Sequence, residues 1–461
     1  MIMMFYLMLV VFILGYTMIV LEHVVNVNKA AFALLIGVLL WTIYAIGGNE
    51  ILALGYSPSW ANFSASHQSA SAVREFITEH ELFQHLGDVS SILFFLLGAM
   101  TIVELVDKYQ GFSVITSRVQ NTDITKLLWM VALLTFFMSA LLDNLTTTII
   151  MLTLLRKLIS KKHFRWLFAS VVIMASNTGG AWSPIGDVTT IMLWIGGQVT
   201  AGSIVGHLFL PSFANMMVVT FIFSRFVKGH RIPPVLAAGE TAQFTTRKEQ
   251  TTMLILGSLA LISVPIFKTY THLPPFMGMM LGLGVMWVIT DRYLDGKHKA
   301  DQRKLTVLAA LKSVDISTVL FFLGVLLGVS ALQSAGHLNL LSEWLNQNFP
   351  NVYASNMIIG VISAIVDNVP LVAASMGMYD IQPALVSGHM LNFIQNGDFW
   401  NLLAYCAGTG GSILIIGSAA GVAAMGIEKI NFVWYMRKMS WIAIVGYVAG
   451  VGVYFLQTLI F

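Results

Sequence analysis

The chain of 461 residues is 57% hydrophobic and only 10% charged, and apolar runs of 18 or more residues recur along most of it, the signature of a polytopic helical membrane protein. Its single cysteine, Cys406, excludes a disulfide framework and any cysteine-based metal site. The net charge of +3 says little by itself; no basic tail or nucleic-acid signature is present, so the expected surroundings are the lipid bilayer and not a nucleic acid.

In chain order, uninterrupted spans are predicted over 3–21, 30–47, 89–106, 204–226, 251–267, 274–290, 316–335 and 440–459. Two more, over 166–195 and 399–425, are broken by glycines and polar residues, which brings the total to about ten. The first segment lacks a basic leading region and a small-residue cleavage site, and reads as a retained span rather than a signal peptide. Stretches 127–155 and 352–378 are each long enough to enter the membrane and return, and each has a polar centre, Asp143-Asn144 and Asp367-Asn368. Each reads as a re-entrant hairpin with Asp-Asn at its tip, tolerable at that depth only if buried in protein or facing a water-filled cavity. A straight span is the alternative, and it would shift the topology by one crossing.

The charges test that choice. If both hairpins return to their own side, one face receives the Lys29 loop and the loops within 108–126, 156–165, 225–248, 292–312 and 429–438. Of the 25 Lys and Arg residues, only Arg74 and Lys268 then fall on the other face. The rich face is cytoplasmic, with both termini outside.

An odd number of crossings per half makes the second half run inverted. Three pairs of landmarks support a duplication: Asp88-Val-Ser-Ser against Asp315-Ile-Ser-Thr, tip against tip, and Thr178-Gly-Gly against Thr409-Gly-Gly, at offsets of 227, 224 and 231. The predicted organisation is a first inverted repeat over 1–227 (hairpin 127–155, broken helix 166–195), a cytoplasmic linker over 228–250, and a second repeat over 251–461 (hairpin 352–378, broken helix 399–425). Inverted repeats with sites at discontinuous helices are the pattern of secondary transporters. Amphipathic surface helices are expected over 71–87 and 338–349, with a further interfacial segment over 112–119.

A carboxylate at membrane depth costs roughly 2.5–3.5 kcal/mol on insertion scales, so each tip aspartate is a functional candidate beyond its value as a helix cap. The first break, Met174–Met192, carries Asn177, Ser183, Asp187, Thr189 and Thr190. Carbonyls freed at the end of a half-helix suit a cation, and these side chains add hard oxygen ligands; Thr146 adds another beside the first tip. The second break, Gly408–Gly421, keeps the glycines and adds Ser412 and Ser418, but Ser418 stands opposite Asp187, so the pair is not symmetric. Asp143, Asp187 and Asp367 are expected to converge. Burial favours the neutral form of a carboxylate and a bound cation the ionised form, which makes proton and cation compete for one site. No redox centre or phosphate loop is present, so no catalytic residue and no cofactor is expected, and an ion gradient must supply the energy. Glu104 and His207 are candidates for a proton path, against a snorkelling glutamate and a hydrogen-bonded structural histidine. Asp88 and Asp315 read as N-caps, and His67, His80 and His85 are too irregularly spaced for a metal site.

ALLDNLTTTIIM, ASNTGGAWSPIGDVTTIM, DNVPLVAA and GTGGS resemble the NhaD-type sodium/proton antiporters of the ion-transporter superfamily, from about Val89 to the end. The resemblance implies a homodimer in the inner membrane of a prokaryote, exchanging Na+ (and Li+) for H+ as its transport domains move past a scaffold. It places ion binding at Asp143, Asn144, Asn177, Asp187, Asp367, Asn368 and Ser412, with Na+ at the two Asp-Asn tips. Carboxylate-carrying branches of the superfamily have Ser-Asn-Thr tips; the aspartate in place of serine here repels an anionic substrate and favours the cation antiporter over a sodium-coupled dicarboxylate-type symporter. An intramembrane aspartyl protease is a remote alternative. Tyr379-Asp380 and Gly186-Asp187 superficially resemble its motifs, but in reversed chain order and without the glycine three residues before the second aspartate.

Overall fold

A computed structural model describes residues 3–67, 69, 71–117, 123–228, 245–294 and 304–460. Most of the expected linker, 229–244, lies outside them, as do 118–122 and 295–303. The described residues are mainly helical, and an isolated bridge pairs Gln382 with Ile394. Eight of its helices are long and apolar enough to cross a membrane. Seven coincide with expected uninterrupted spans, and the eighth, Ile124–Leu142, is the first arm of the first expected hairpin. The remaining expected span, 274–290, is matched, all but its first residue, by the helix Pro275–Leu294. The protein is an all-α polytopic membrane protein.

The chain divides into two compact units. The first comprises 1–94, 315–355 and 369–394. Its centre is the pairing of Lys29–Leu52 with Ile316–Ser334. Gly37 and Gly324 let the two backbones approach, since a side chain at Gly324 would collide with Ala33 and Leu34. Trp41 donates its indole N–H to the Leu327 carbonyl (2.9 Å), and the Tyr44 hydroxyl reaches the Ser334 carbonyl (3.2 Å). Asp315 caps Ile316–Ser334 as expected, its carboxylate accepting from the Thr318 amide. The expected amphipathic helix over 338–349 forms as His337–Asn348.

Two expectations are corrected in this part of the chain. Residues 71–87 do not make a separate surface helix; Ala72–Lys108 runs without interruption through a π-helical turn, Phe76–Glu81. Nothing there breaks a helix, because Gly87 is tolerated in a helix interior and the charged residues are absorbed on its flanks. Asp88 consequently sits inside a continuous helix and caps nothing.

The second unit comprises 95–314, 356–368 and 395–461. It is built around two helices, Lys162–Ala181 and Asp398–Gly410. Every residue of the first from Leu167 onward is buried, as is every residue of the second from Phe399 onward. Both stop at paired glycines, and both resume after a short irregular segment, as Val188–Ile195 and Ala419–Glu428. The restart caps are Asp187, accepting from the Thr189 amide, and Ser418, accepting from the Gly421 amide. Ahead of the first broken helix lies the pair Ile124–Leu142 and Asn144–Leu158, separated by Asp143 alone. Ahead of the second lies Val352–Ile362, a turn, and a helix opening at Asn368.

Contacts around the two breaks correspond. The Ser139 hydroxyl donates to the Ser176 carbonyl (2.6 Å), and the Ser363 hydroxyl to the Ala407 carbonyl (2.9 Å). Gly179 lies against the Phe136 carbonyl, and Gly410 against that of Gly360. Gly186 lies against the Ser139 carbonyl, and Gly417 against that of Ser363. At Gly179 and Gly410 even a methyl group would overlap backbone. Gly410→Ala is therefore expected to lower stability by about 1–3 kcal/mol through overpacking, whereas Gly452→Ala, with nothing nearby, leaves it unchanged or slightly raised. Thermal unfolding of the two detergent-extracted variants side by side measures the difference.

Candidate functional site

The first tip is built on an unusual backbone. Asp143 has φ 81° and ψ 159°, a region adopted essentially by glycine alone. This conformation joins two helices with one residue. It aims the Asp143 carboxylate along the second arm, where its oxygens accept from the Thr146 amide and the Thr146 hydroxyl, both at 2.8 Å. Thr146 thus holds the tip carboxylate. Holding a non-glycine residue there costs of order 1–3 kcal/mol, more than a serine or asparagine cap in relaxed geometry requires.

Asn144, the next residue, is buried and points into the unit. Its amide nitrogen donates to Asn177 Oδ1 and to Asp187 Oδ2, both at 3.1 Å. Asn177 in turn donates to Ser412 Oγ (2.8 Å) and Ser418 Oγ (2.9 Å). A continuous chain of polar contacts therefore runs Asp187–Asn144–Asn177–Ser412/Ser418, joining the first hairpin to both breaks. Each member is at most 5% exposed, so each depends on the others for the hydrogen bonds that water would otherwise supply.

The remaining candidates fall into place around this chain. Thr189 and Thr190 are buried on the first turn after the break; the Thr190 hydroxyl returns to the Asp187 carbonyl (2.8 Å). Ser183 ties the break to the hairpin, donating to the Ala140 carbonyl at 2.5 Å. The second tip contributes half-buried Asp367 and buried Asn368. Asp143 and Asp367 both lie within electrostatic reach of Asp187. The three carboxylates surround the site without sharing one point: among the described residues no three His, Cys, Asp or Glu side chains are grouped to hold a metal ion together. Glu104 pairs with Lys108 one turn on (3.6 Å). His207 bonds back to Ser203 on its own helix, 3.0 Å to the carbonyl and 3.2 Å to the hydroxyl.

Ser418, which the sequence sets opposite Asp187, is as close to Asn177 as Ser412 is, and several side chains that sequence reasoning did not single out also belong here. Ser139, Thr148 and Ser176 form a second polar cluster, with Thr148 Oγ1 2.9 Å from Ser176 Oγ. The Thr147 hydroxyl, one turn from Asn144, is fully buried with no hydrogen-bond partner among the described residues. Tyr435, also fully buried, fixes the second break by donating to the Ser412 carbonyl (2.8 Å).

The two halves touch alike but differ chemically. Asn177 reaches Ser412 and Ser418; Gly408, its counterpart at the offset of the breaks, faces Ala181 and Asp187. A β-carbon on Gly408 would lie 3.5 Å from Asp187 Oδ2. The amide and the carboxylate are both supplied by the first half, and hydroxyls by the second.

A family profile described as "Citrate transporter" matches residues 10–393. The chain is 44% identical to "Sodium/proton antiporter 1" of Arabidopsis thaliana over 97% of its own length and 71% of that protein's. It is 41% identical to "Sodium/proton antiporter 2" of the same plant, over 97% and 98% of the two chains. With "Na(+)/H(+) antiporter NhaD" of Alkalimonas amylolytica it shares 30% identity over 82% and 79%. By the reach of the profile and by identity along nearly its whole length, the chain belongs to the citrate transporter family and, within it, to the NhaD-type sodium/proton antiporters.

Proposed function

We propose that the protein exchanges Na+ for H+ across the membrane by alternating access, and that the ions take turns at the buried chain of Asp187, Asn144, Asn177, Ser412 and Ser418. The observation that carries this reading is that one carboxylate, two amides and two hydroxyls meet, out of water, where the first tip and both breaks converge. Hard cations take oxygen ligands. Asp187, the amide oxygens, the serine hydroxyls and the carbonyls at the half-helix ends supply them. In this arrangement the Asn144 amide stands at Asp187 Oδ2, where positive charge is favoured; an arriving Na+ or H+ takes its place. Asp143 and Asp367 keep the surroundings negative, which attracts cations and excludes a dicarboxylate. Li+, also a hard cation, is a second substrate.

The matched contacts at Ser139/Ser363, Gly179/Gly410 and Gly186/Gly417 support the division into two inverted repeats, 1–227 and 251–461. Hairpins entering from opposite faces then give each side of the membrane its own way to the site. The distribution of Lys and Arg supports an orientation with both termini outside; placement in the inner membrane of a prokaryote follows from the resemblance. A homodimer follows from the resemblance.

Because cation and proton compete, the apparent Na+ KM is expected to climb as pH falls, approaching about tenfold per pH unit for one proton at acid pH, with saturating Na+ restoring the rate. Sodium-dependent proton release from everted vesicles across a pH series measures it; a KM that does not move with pH refutes competition. Asp143→Asn, Asp187→Asn and Asp367→Asn are each expected to reduce that release to background while the protein remains in the membrane. Exchange surviving at the wild-type rate in all three would overturn the assignment. In proteoliposomes under an imposed pH gradient, Na+ and Li+ are expected to be exchanged, and K+ and dicarboxylates are not.

A further inference from the structure

Away from the proposed ion site, a buried glutamate of the same unit is met by an exposed arginine and a half-buried one. Glu428, at the end of the helix Ala419–Glu428, has a side chain only 1% exposed, yet two guanidinium groups reach it. Arg156 Nε lies 2.6 Å from Oε1 and Arg165 Nε 2.9 Å from Oε2. Arg156 also donates to the Ile427 carbonyl, and the Trp166 indole donates to the Glu428 carbonyl at 3.0 Å. Arg165 closes the loop between its own helix and the preceding one, donating to the Ser160 carbonyl at 2.9 Å and the Ile159 carbonyl at 3.2 Å. Planar guanidinium groups on a carboxylate, with the neighbouring carbonyls also satisfied, form a directional and short-range link.

The three helices that meet here are those that meet at the ion site. Asn144–Leu158 starts at Asn144 and carries Arg156 near its end; Lys162–Ala181 carries Arg165 near its start and Asn177 near its end. Ala419–Glu428 starts after Ser418 and ends at Glu428. At about 1.5 Å per residue, Asn144 to Arg156 and Arg165 to Asn177 each span about 18 Å, and Ser418 to Glu428 spans about 15 Å. Three helices of nearly equal reach are thus fastened twice. At one end the fastening is Asn144–Asn177–Ser418, and at the other it is Arg156–Glu428–Arg165. The first of these must be rearranged whenever an ion enters or leaves. The second is free of that demand.

We propose that Glu428 is a positioning residue for ion exchange. The Arg156–Glu428–Arg165 clasp holds the register of hairpin, first broken helix and second restart helix while the hydrogen bonds at the ion site are broken and remade. The proposal rests on the ion-site reading above, and it separates from that reading in its readout. An ion ligand lost at Asp187 ends exchange; a clasp lost about 15 Å away loosens the ligand set without removing any member of it.

The test uses the full-length protein in everted vesicles, with Glu428→Gln and Arg156→Gln compared against wild type and Asp187→Asn. Both clasp variants are expected to retain exchange at saturating Na+, with an apparent Na+ KM raised about tenfold, equal to about 1.4 kcal/mol of binding, and an unshifted pH midpoint for the maximal rate. Arg156→Lys, which keeps the charge but not the planar fork, is expected to recover only part of the KM. Three outcomes would overturn the proposal. They are an unchanged KM with the rate lowered in proportion to folded protein, a shifted pH midpoint at unchanged KM, and loss of exchange as complete as in Asp187→Asn. The first would make the clasp a stability element and the second would make Glu428 a proton carrier. If Asp187→Asn itself exchanges normally, the ion-site reading fails instead.

Discussion

Polar groups withdrawn from water must be satisfied by other parts of the protein, and in a membrane no solvent makes good the omission. In the second unit the two interruptions and the hairpin ends leave irregular backbone that side chains from other segments complete. Ser139 and Ser363 answer the carbonyls of Ser176 and Ala407; Ser183 answers Ala140; Tyr435 answers Ser412. Asn144 and Asn177 join these pieces through two-sided amides. Removing the side chain of either asparagine would leave several buried partners unsatisfied at once.

That constraint explains why small residues gather where they do. Gly179, Gly186 and Gly410 sit against carbonyl oxygens of the preceding hairpin arm, and Gly417 against those of the hairpin turn. Close approach brings the donors of one segment within reach of the acceptors of the other, so glycine spacing and hydrogen bonding are two aspects of one fit. The correspondence between the halves extends to these contacts but stops at the chemistry. The carboxylate and amide lie on one side, the hydroxyls and the bare Gly408 on the other. Matched backbone contacts on the two sides thus frame a single, lopsided set of polar side chains.

Much of this was legible in the chain. The long apolar runs located the spans because their period and length leave little choice, and TGG located both breaks, with Pro184 beside the first, because such residues do not continue a helix cheaply. The pairing of Asp143-Asn144 with Asp367-Asn368 located the tips. What escaped reading was long-range or conformational. The π-turn at Phe76–Glu81 carries no breaker, so 71–87 looked like a separate element and Asp88 like its boundary. The clasp at Glu428 joins residues more than 260 positions apart that share no motif. Nothing in the chain marks Thr147, whose hydroxyl is buried without a hydrogen-bond partner among the described residues. Nor does any composition reveal that Asn144 faces Asp187 while Asp143 turns back to Thr146.

On the proposed function, the backbone at Asp143 sets stability and transport at odds. Its dihedral angles suit glycine, so glycine at this position would relieve backbone strain while deleting the charge that the tip carries. On the same reading, a selection for heat resistance alone would drift toward that exchange and enrich sturdy proteins that move no ions. An aspartate at such a corner gives up part of the chain's resistance to unfolding to keep a charge at the tip.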